Sequence, residues 1–254
     1  MTHVHPTHTQ LGHRVRVEWG PTGAAAVTRE ADVAVVVDVL SFSTTVTIAL
    51  GRGITVHPFR WRDERAVELA RELDANLALQ RQDARLRPGS VSLSPQSLQR
   101  STGIERLVLP SPNGSTICAS LADHGATVVA GCLRNAGAVS AYLADELARG
   151  ATVAVVPAGE RWPDGSLRPA VEDLWGAGAV LAEVDPALLS PEAEVARLAY
   201  EGFRERPLEH LLSCASGRGL VDRGFEPDVV LAGRLDTTDL VPRLEGGAFT
   251  PTRD

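Results

Sequence analysis

The five residues Val33-Ala-Val-Val-Val37 are apolar without interruption. A strand with one wet face alternates polar and apolar residues; a strand that does not alternate must be covered on both faces. Such a strand belongs inside a largely parallel sheet with helices above and below it. Residues 152–156 repeat the pattern, and 54–58, 106–109 and 127–130 read as further strands. Residues 14–19 alternate like a half-buried strand, and 228–232 read as the last one. Helical stretches fall between them at 45–50, 63–73, 115–124, 135–149, 172–184, 191–203 and 208–212. In the second of these, Ala66, Leu69, Ala70 and Leu73 share one helical face. The expected class is α/β, a three-layer α/β/α arrangement with a mixed, largely parallel sheet.

No linker divides the chain. Residues 1–13 are polar, carry His3, His5, His8 and His13, and read as a disordered tail. Residues 14–254 read as a single domain. The Arg-, Pro-, Gly- and Ser-rich stretch 80–101 reads as a loop or a lid. A weak echo relates 35–56 to 107–128. Each runs strand, turn, hydroxyl-rich helix start, apolar helix and a closing Gly-x-Thr-Val. Two similar βα halves, or chance similarity, both account for it.

All 25 basic residues are arginine. A P-loop lysine, a Schiff-base lysine and the kinase strand lysine are therefore excluded. An anion must be held by arginine, hydroxyls, backbone N–H groups or a metal. The net charge is −7 and no basic stripe interrupts it, which argues against a nucleic-acid partner. No apolar run approaches the ~20 residues of a membrane span, and no secretory signal is evident, so a cytoplasmic protein is expected. Cys118, Cys132 and Cys214 have no Cys-x-x-Cys spacing and read as reduced thiols.

Four polar loops follow expected strands. The first holds Asp38 with Ser43, Thr44 and Thr45; the second runs Ser111-Pro-Asn113-Gly114-Ser115-Thr116. The third is Gly131-Cys-Leu-Arg134-Asn135. The fourth joins Ala158-Gly159-Glu160 to Glu172-Asp173 at the start of a helix. Loops at strand ends in open α/β sheets gather ligands, and helix starts favour anions. Together these loops offer carboxylates for a hard cation such as Mg²⁺ and donors for an oxyanion. The first loop also reads as an ordinary Ser/Thr helix cap, and Glu172-Asp173 as compensation of a helix dipole. The haloacid dehalogenase pattern fails, because Val39-Leu40 follow Asp38 and lysine is absent. The cysteine phosphatase pattern fails at Cys214-Ala-Ser-Gly-Arg218, where only three residues separate Cys from Arg.

Five blocks in order resemble the 2-phosphosulfolactate phosphatase family. Asp38-Val-Leu-Ser-Phe-Ser-Thr-Thr45 is similar to its D-V-L-R-A-S-T-T motif, and Ser111 to Thr116 to its T-N-G-T block. Gly131 to Val139 is similar to G-S-x-x-N-A-x-A-V. Ala158-Gly159 with Glu172-Asp173 to Gly178 resembles A-G followed by E-D-x-x-x-A-G. Residues 213–228 and 235–242 resemble its closing segments. The resemblance spans roughly residues 15–244. It implies a Mg²⁺-dependent phosphatase converting 2-phosphosulfolactate and water to sulfolactate and phosphate, a step of coenzyme M synthesis. The alternative is an inactive binding or regulatory protein on the same scaffold. The resemblance implies catalytic roles for Asp38, Asn113 and Glu172, and metal binding by Asp38, Glu160, Glu172 and Asp173. Ser43, Thr44, Thr45, Gly114, Ser115, Thr116, Asn135 and Arg218 would bind the phosphate. The expected partner is a small phosphate ester; a homodimer stays open.

Two positions depart from the pattern. Ser41 stands where the family has arginine, and Val91-Ser-Leu-Ser94-Pro95 keeps only the Ser-Pro of G-x-x-N-S-P. Loss of one guanidinium contact costs ~1.5–3 kcal/mol of anion binding. Arg134 and Arg85 are the candidates to replace it.

Overall fold

The computed structural model describes residues 5–87, 89–121 and 125–250. The long strands arise where the apolar runs predict them. They are β1 (Val15–Val17), β2 (Val33–Val37), β3 (Thr55–Phe59), β5 (Arg106–Pro110), β6 (Thr127–Gly131) and β7 (Val153–Pro157), and a two-residue strand that the sequence reading did not expect, β4 (Asn76–Leu77), comes between β3 and β5 in the chain. A small separate hairpin follows, β8 (Glu160–Arg161) with β9 (Leu167–Arg168). The chain ends in another, β10 (Arg243–Glu245) with β11 (Ala248–Phe249).

The main sheet has nine strands in the order β1-β7-β2-β6-β10-β11-β3-β5-β4. Two blocks are parallel, β1-β7-β2-β6 and β3-β5-β4. The last hairpin is wedged between them, with Leu244 opposite Val128 and Phe249 opposite Val56. Every pairing of that hairpin is antiparallel, so the two blocks run in opposite senses. The fold is thus α/β with a mixed, mostly parallel sheet.

Helices cover both faces. They are α1 (Gly20–Val27), α2 (Phe42–Gly51), α3 (Glu64–Glu72), α4 (Arg81–Arg85), α5 (Pro95–Arg100) and α6 (Gly114–Leu121). The later ones are α7 (Ala136–Ala148), α8 (Val171–Val180), α9 (Pro191–Phe203), α10 (Pro207–Ser213), α11 (Ala215–Asp222) and α12 (Glu226–Ala232). Period-two alternation sorts the β2 side chains. Val35 and Val37 join Leu143 of α7, Val180 of α8 and Phe203 of α9 in one core. Ala34 and Val36 join Val27 of α1, Val46 of α2 and Ile117 of α6 in the other. Burying a side chain of this size stabilises by about 1.5–3 kcal/mol, which is why an unbroken apolar strand demands both layers.

The echoing segments are β2-α2-β3 and β5-α6-β6. Each crosses from one block to the other, so that β2 lies beside β6 and β3 beside β5. Both helices belong to the same core.

Three expectations are corrected. Residues 228–232, expected as a strand, form α12 because Val229, Leu231 and Ala232 are buried as a helical face. The stretch 80–101, expected as a loop, holds α4 and α5, and Leu79 pairs with Ser92. Part of the expected tail is docked. Pro6–Thr9 makes a 3-10 turn, and the Gln10 side chain bonds both backbone groups of Val17 at 2.9 and 3.2 Å. Met1 to Val4 lie outside the described residues. The same holds for the last three residues of the helix expected at 115–124. Among the described residues no helix is long and apolar enough to cross a membrane.

Candidate active site

Asp38 follows β2 directly. Its backbone N–H donates to Ser43 Oγ at 3.1 Å, and Ser43 Oγ donates to the Val36 carbonyl at 2.9 Å. Thr44 Oγ1 donates to the Val39 carbonyl at 2.6 Å and Thr45 Oγ1 to the Leu93 carbonyl at 2.9 Å. All three hydroxyl residues are fully buried. Their side chains were expected to hold phosphate; they instead hold the loop that presents Asp38. Hydroxyls at a helix start bond nearby backbone readily.

The second loop behaves alike. Ser115 Oγ donates to the Leu109 carbonyl at 2.7 Å and Thr116 Oγ1 to the Ser111 carbonyl at 3.4 Å. A Cβ on Gly114 would lie 2.3 Å from Phe42 Cδ1, so the starts of α6 and α2 press together there. That contact brings the two loops to one place although their strands lie in opposed blocks. Asn113 Nδ2 then donates to Glu160 Oε2 at 3.4 Å. Asn135 is also internal. Its Oδ1 accepts the Cys132 N–H at 2.9 Å, and its Nδ2 donates to the Ala130 and Leu240 carbonyls. Arg218 is exposed and outside the cavity described next.

Asp38, Asn113 and Glu160 line one cavity of about 480 Å³. Five arginines border it as well: Arg62 after β3, Arg81 in α4, Arg161 in β8, Arg168 in β9 and Arg223 after α11. None of Arg62, Arg161, Arg168 and Arg223 forms an ion pair among the described residues, whereas Arg81 meets Asp228 at 2.8 Å. Burial lowers the Arg62 pKa, and the neighbouring Arg81 charge adds to the effect. The chain carries 25 arginines, and sequence spacing gave no sign of which ones converge.

Arg81 answers the question posed by Ser41. Its Nη2 donates to the Leu40 carbonyl at 2.8 Å and its Nη1 to Ser41 Oγ at 3.3 Å. Asp228 steadies it from α12, and also accepts from Ser94 Oγ at 2.6 Å and the Gln96 N–H at 3.1 Å. A guanidinium therefore does stand at Ser41, supplied by α4. The expected substitutes are elsewhere. Arg134 donates to the Leu231 carbonyl, and Arg85 to the carbonyls of Arg223 and Gly224.

The carboxylates have unusual electrostatics. Burial, then the Glu160 charge, raises the Asp38 pKa from 3.8 to about 7; the Phe42 N–H and the Arg81 charge oppose this. Asp38 Oδ2 is buried and has no hydrogen-bond partner. Burial also raises Glu172, which sits behind Ser216, itself an acceptor from Arg168 Nη2 at 2.7 Å. Glu172 is not a cavity-lining residue. Asp173, expected as a metal ligand, has both oxygens engaged. Oδ1 accepts the Val39 N–H at 2.8 Å and Oδ2 the Gly159 N–H at 2.9 Å. Among the described residues no three His, Cys, Asp or Glu side chains are grouped to enclose a metal. Asp38 and Glu160 are the carboxylates that face the cavity and could share an ion with water and substrate oxygens.

Cys214 is buried beside Glu172. Burial, then the Glu172 charge, pushes its thiol up to about 11, which leaves it protonated at neutral pH.

A sequence model of 2-phosphosulpholactate phosphatase matches residues 23–247. A "Probable 2-phosphosulfolactate phosphatase" of Carboxydothermus hydrogenoformans is 31% identical over 213 residues, covering 82% of this chain and 84% of that protein. With nearly the whole domain matched, the chain belongs to the 2-phosphosulpholactate phosphatase family and is a phosphoric monoester hydrolase.

Proposed function

We propose that this chain hydrolyses the phosphate ester of 2-phosphosulfolactate, or of a small hydroxy acid of the same charge, in a Mg²⁺-dependent reaction. The observation that carries this is the charge layout of the cavity. Asp38 and Glu160 face it, and five guanidiniums border it, in a chain whose net charge is −7. A phosphate monoester carrying further acid groups suits the four of these guanidiniums that form no ion pair among the described residues. Each charge-assisted bond to arginine contributes about 1.5–3 kcal/mol.

The donor set fits Mg²⁺. One or two carboxylates with water and phosphate oxygens are its usual surroundings. The orphaned Asp38 Oδ2 is a buried acceptor without a donor, and a cation would relieve both it and the Glu160 repulsion. When bound, Mg²⁺ neutralises phosphoryl charge and makes water more acidic. The chain's own residues do the rest. Arg62, Arg81, Arg161, Arg168 and Arg223 bind and orient the anion. Asn113 fixes the Glu160 carboxylate. In the metal-free protein Asp38 titrates near neutral pH, and a bound cation would take the place of that proton at Oδ2.

The test is phosphate release from 2-phosphosulfolactate and from 2-phospholactate, with Mg²⁺ and with chelator. Metal-dependent turnover that disappears in a folded Asp38→Asn variant is expected. Absence of turnover on both esters and on a broad phosphoester panel, by folded protein with metal, would refute the proposal.

A further inference from the structure

We propose that Asp173 is a positioning residue that sets the spacing of the Asp38 and Glu160 carboxylates; this rests on the reading of those two as the acidic centre. Val39 directly follows Asp38, and Gly159 directly precedes Glu160. One Asp173 oxygen receives the N–H of each, at 2.8 and 2.9 Å. A single side chain thus links the loop after β2 to the loop after β7, each within one residue of a carboxylate.

The geometry separates this role from the helix-dipole role that the sequence suggests. An acid in the first turn of a helix compensates the dipole by facing its own N–H groups. Both Asp173 acceptor bonds leave α8 altogether and reach residues 134 and 14 positions away. Asp173 is 3% exposed and forms no ion pair among the described residues. Burial, then the Asp38 and Glu172 charges, raise its pKa well above the usual carboxylate range, and the Val39 N–H opposes them; the two backbone donors are the hydrogen bonds that satisfy the buried group.

The surroundings keep the clamp from drifting. A Cβ on Gly176, one turn along α8, would come within 2.5 Å of Val39 Cγ2 and 2.7 Å of Val37 Cγ1. The helix therefore lies directly on the end of β2. Gly159 has φ +66°, a left-handed conformation, and a Cβ there would lie 2.8 Å from Leu167 Cδ1. The turn needs glycine to aim its N–H at Asp173.

The clamp also requires two acceptor oxygens. Two donors arrive at two different oxygens. Asparagine has one acceptor oxygen and would set its NH₂ against the other backbone N–H. Asp173→Asn keeps the volume and breaks one side of the link.

The experiment combines amide hydrogen exchange, Mg²⁺ calorimetry on the free protein and phosphate release. In the wild type, the Val39 and Gly159 amides are expected to exchange about a hundredfold slower than free peptide, although neither lies within a strand. Asp173→Asn should speed one or both by about tenfold or more, leaving Val35 and Val155 unchanged. It should weaken Mg²⁺ binding and lower kcat, each by about tenfold or more. Free exchange of either amide in the wild type overturns the proposal, even if the variant fails to fold. So does a folded variant with unaltered Mg²⁺ affinity and kcat. The underlying reading fails separately: full turnover by Asp38→Asn would overturn the acidic centre, while the exchange rates would still decide the clamp.

Discussion

Asp38→Asn should make the metal-free protein more stable while abolishing its chemistry. Asp38 is 6% exposed, and burial with the Glu160 charge raises its pKa from 3.8 to about 7. A carboxyl whose pKa is higher when folded binds its proton more tightly in the folded state. That contribution is complete below the unfolded value and is lost as the pH rises through the folded one. Each tenfold change in proton affinity is worth about 1.4 kcal/mol. Above the folded pKa, the wild type has therefore lost on the order of 4 kcal/mol. The amide is nearly the same size and never ionises. With chelator present, the variant should exceed the wild type by about 2–4 kcal/mol at a pH near 8, after the weaker Phe42 N–H contact is subtracted. The gap should shrink steadily towards a pH near 4. Urea unfolding followed by the fluorescence of the four tryptophans would measure it. A gap that stays constant across that range refutes the reasoning, as does a variant less stable than the wild type at the alkaline end. Mg²⁺ should reverse the order, because only the wild type can use it.

Other outcomes follow from the same geometry. Arg62→Ala and Arg168→Ala should each raise KM about 10- to 100-fold with a smaller change in kcat, measured by steady-state kinetics. Thr45→Val removes a bond to the Leu93 carbonyl, so it should cost about 1 kcal/mol in urea unfolding and leave KM unaltered. A large KM increase would instead restore Thr45 to the phosphate site. Asp228→Ala strips Arg81 of its partner and leaves Ser94 Oγ and the Gln96 N–H without an acceptor. Stability should fall by about 3–5 kcal/mol, and KM should rise as Arg81 leaves Ser41. Gly114→Ala drives a methyl into the fully buried Phe42 ring. A loss of about 1–3 kcal/mol is expected by thermal unfolding.

The long apolar runs exposed the sheet because a strand buried on both faces leaves few alternatives. Short elements escaped for the opposite reason. β10 and β11 have three and two residues, below any readable period. The run at 228–232 is too short to separate strand from helix. Asp38, Asn113 and Glu160, which line the cavity, stood out in the sequence because each follows a strand in a polar loop. The hydroxyls beside them were legible as a pattern but misread in role, since such side chains bond local backbone as readily as a ligand. The five cavity arginines were invisible. They come from elements dispersed between 62 and 223, and only tertiary contact distinguishes them from the others.

The wedged hairpin has a consequence for how this protein is made. Within the main sheet, β10 and β11 alone join β6 to β3. Until residues 243–249 emerge from the ribosome, each parallel block presents an open edge. Unpaired edges recruit other chains, and nascent multi-strand intermediates aggregate through them. A nascent chain stalled near residue 240 would hold nearly every residue of the cavity and still lack the strands that close its sheet. Closure of the sheet thus waits for residues 243–249, far along the sequence from the cavity carboxylates Asp38 and Glu160.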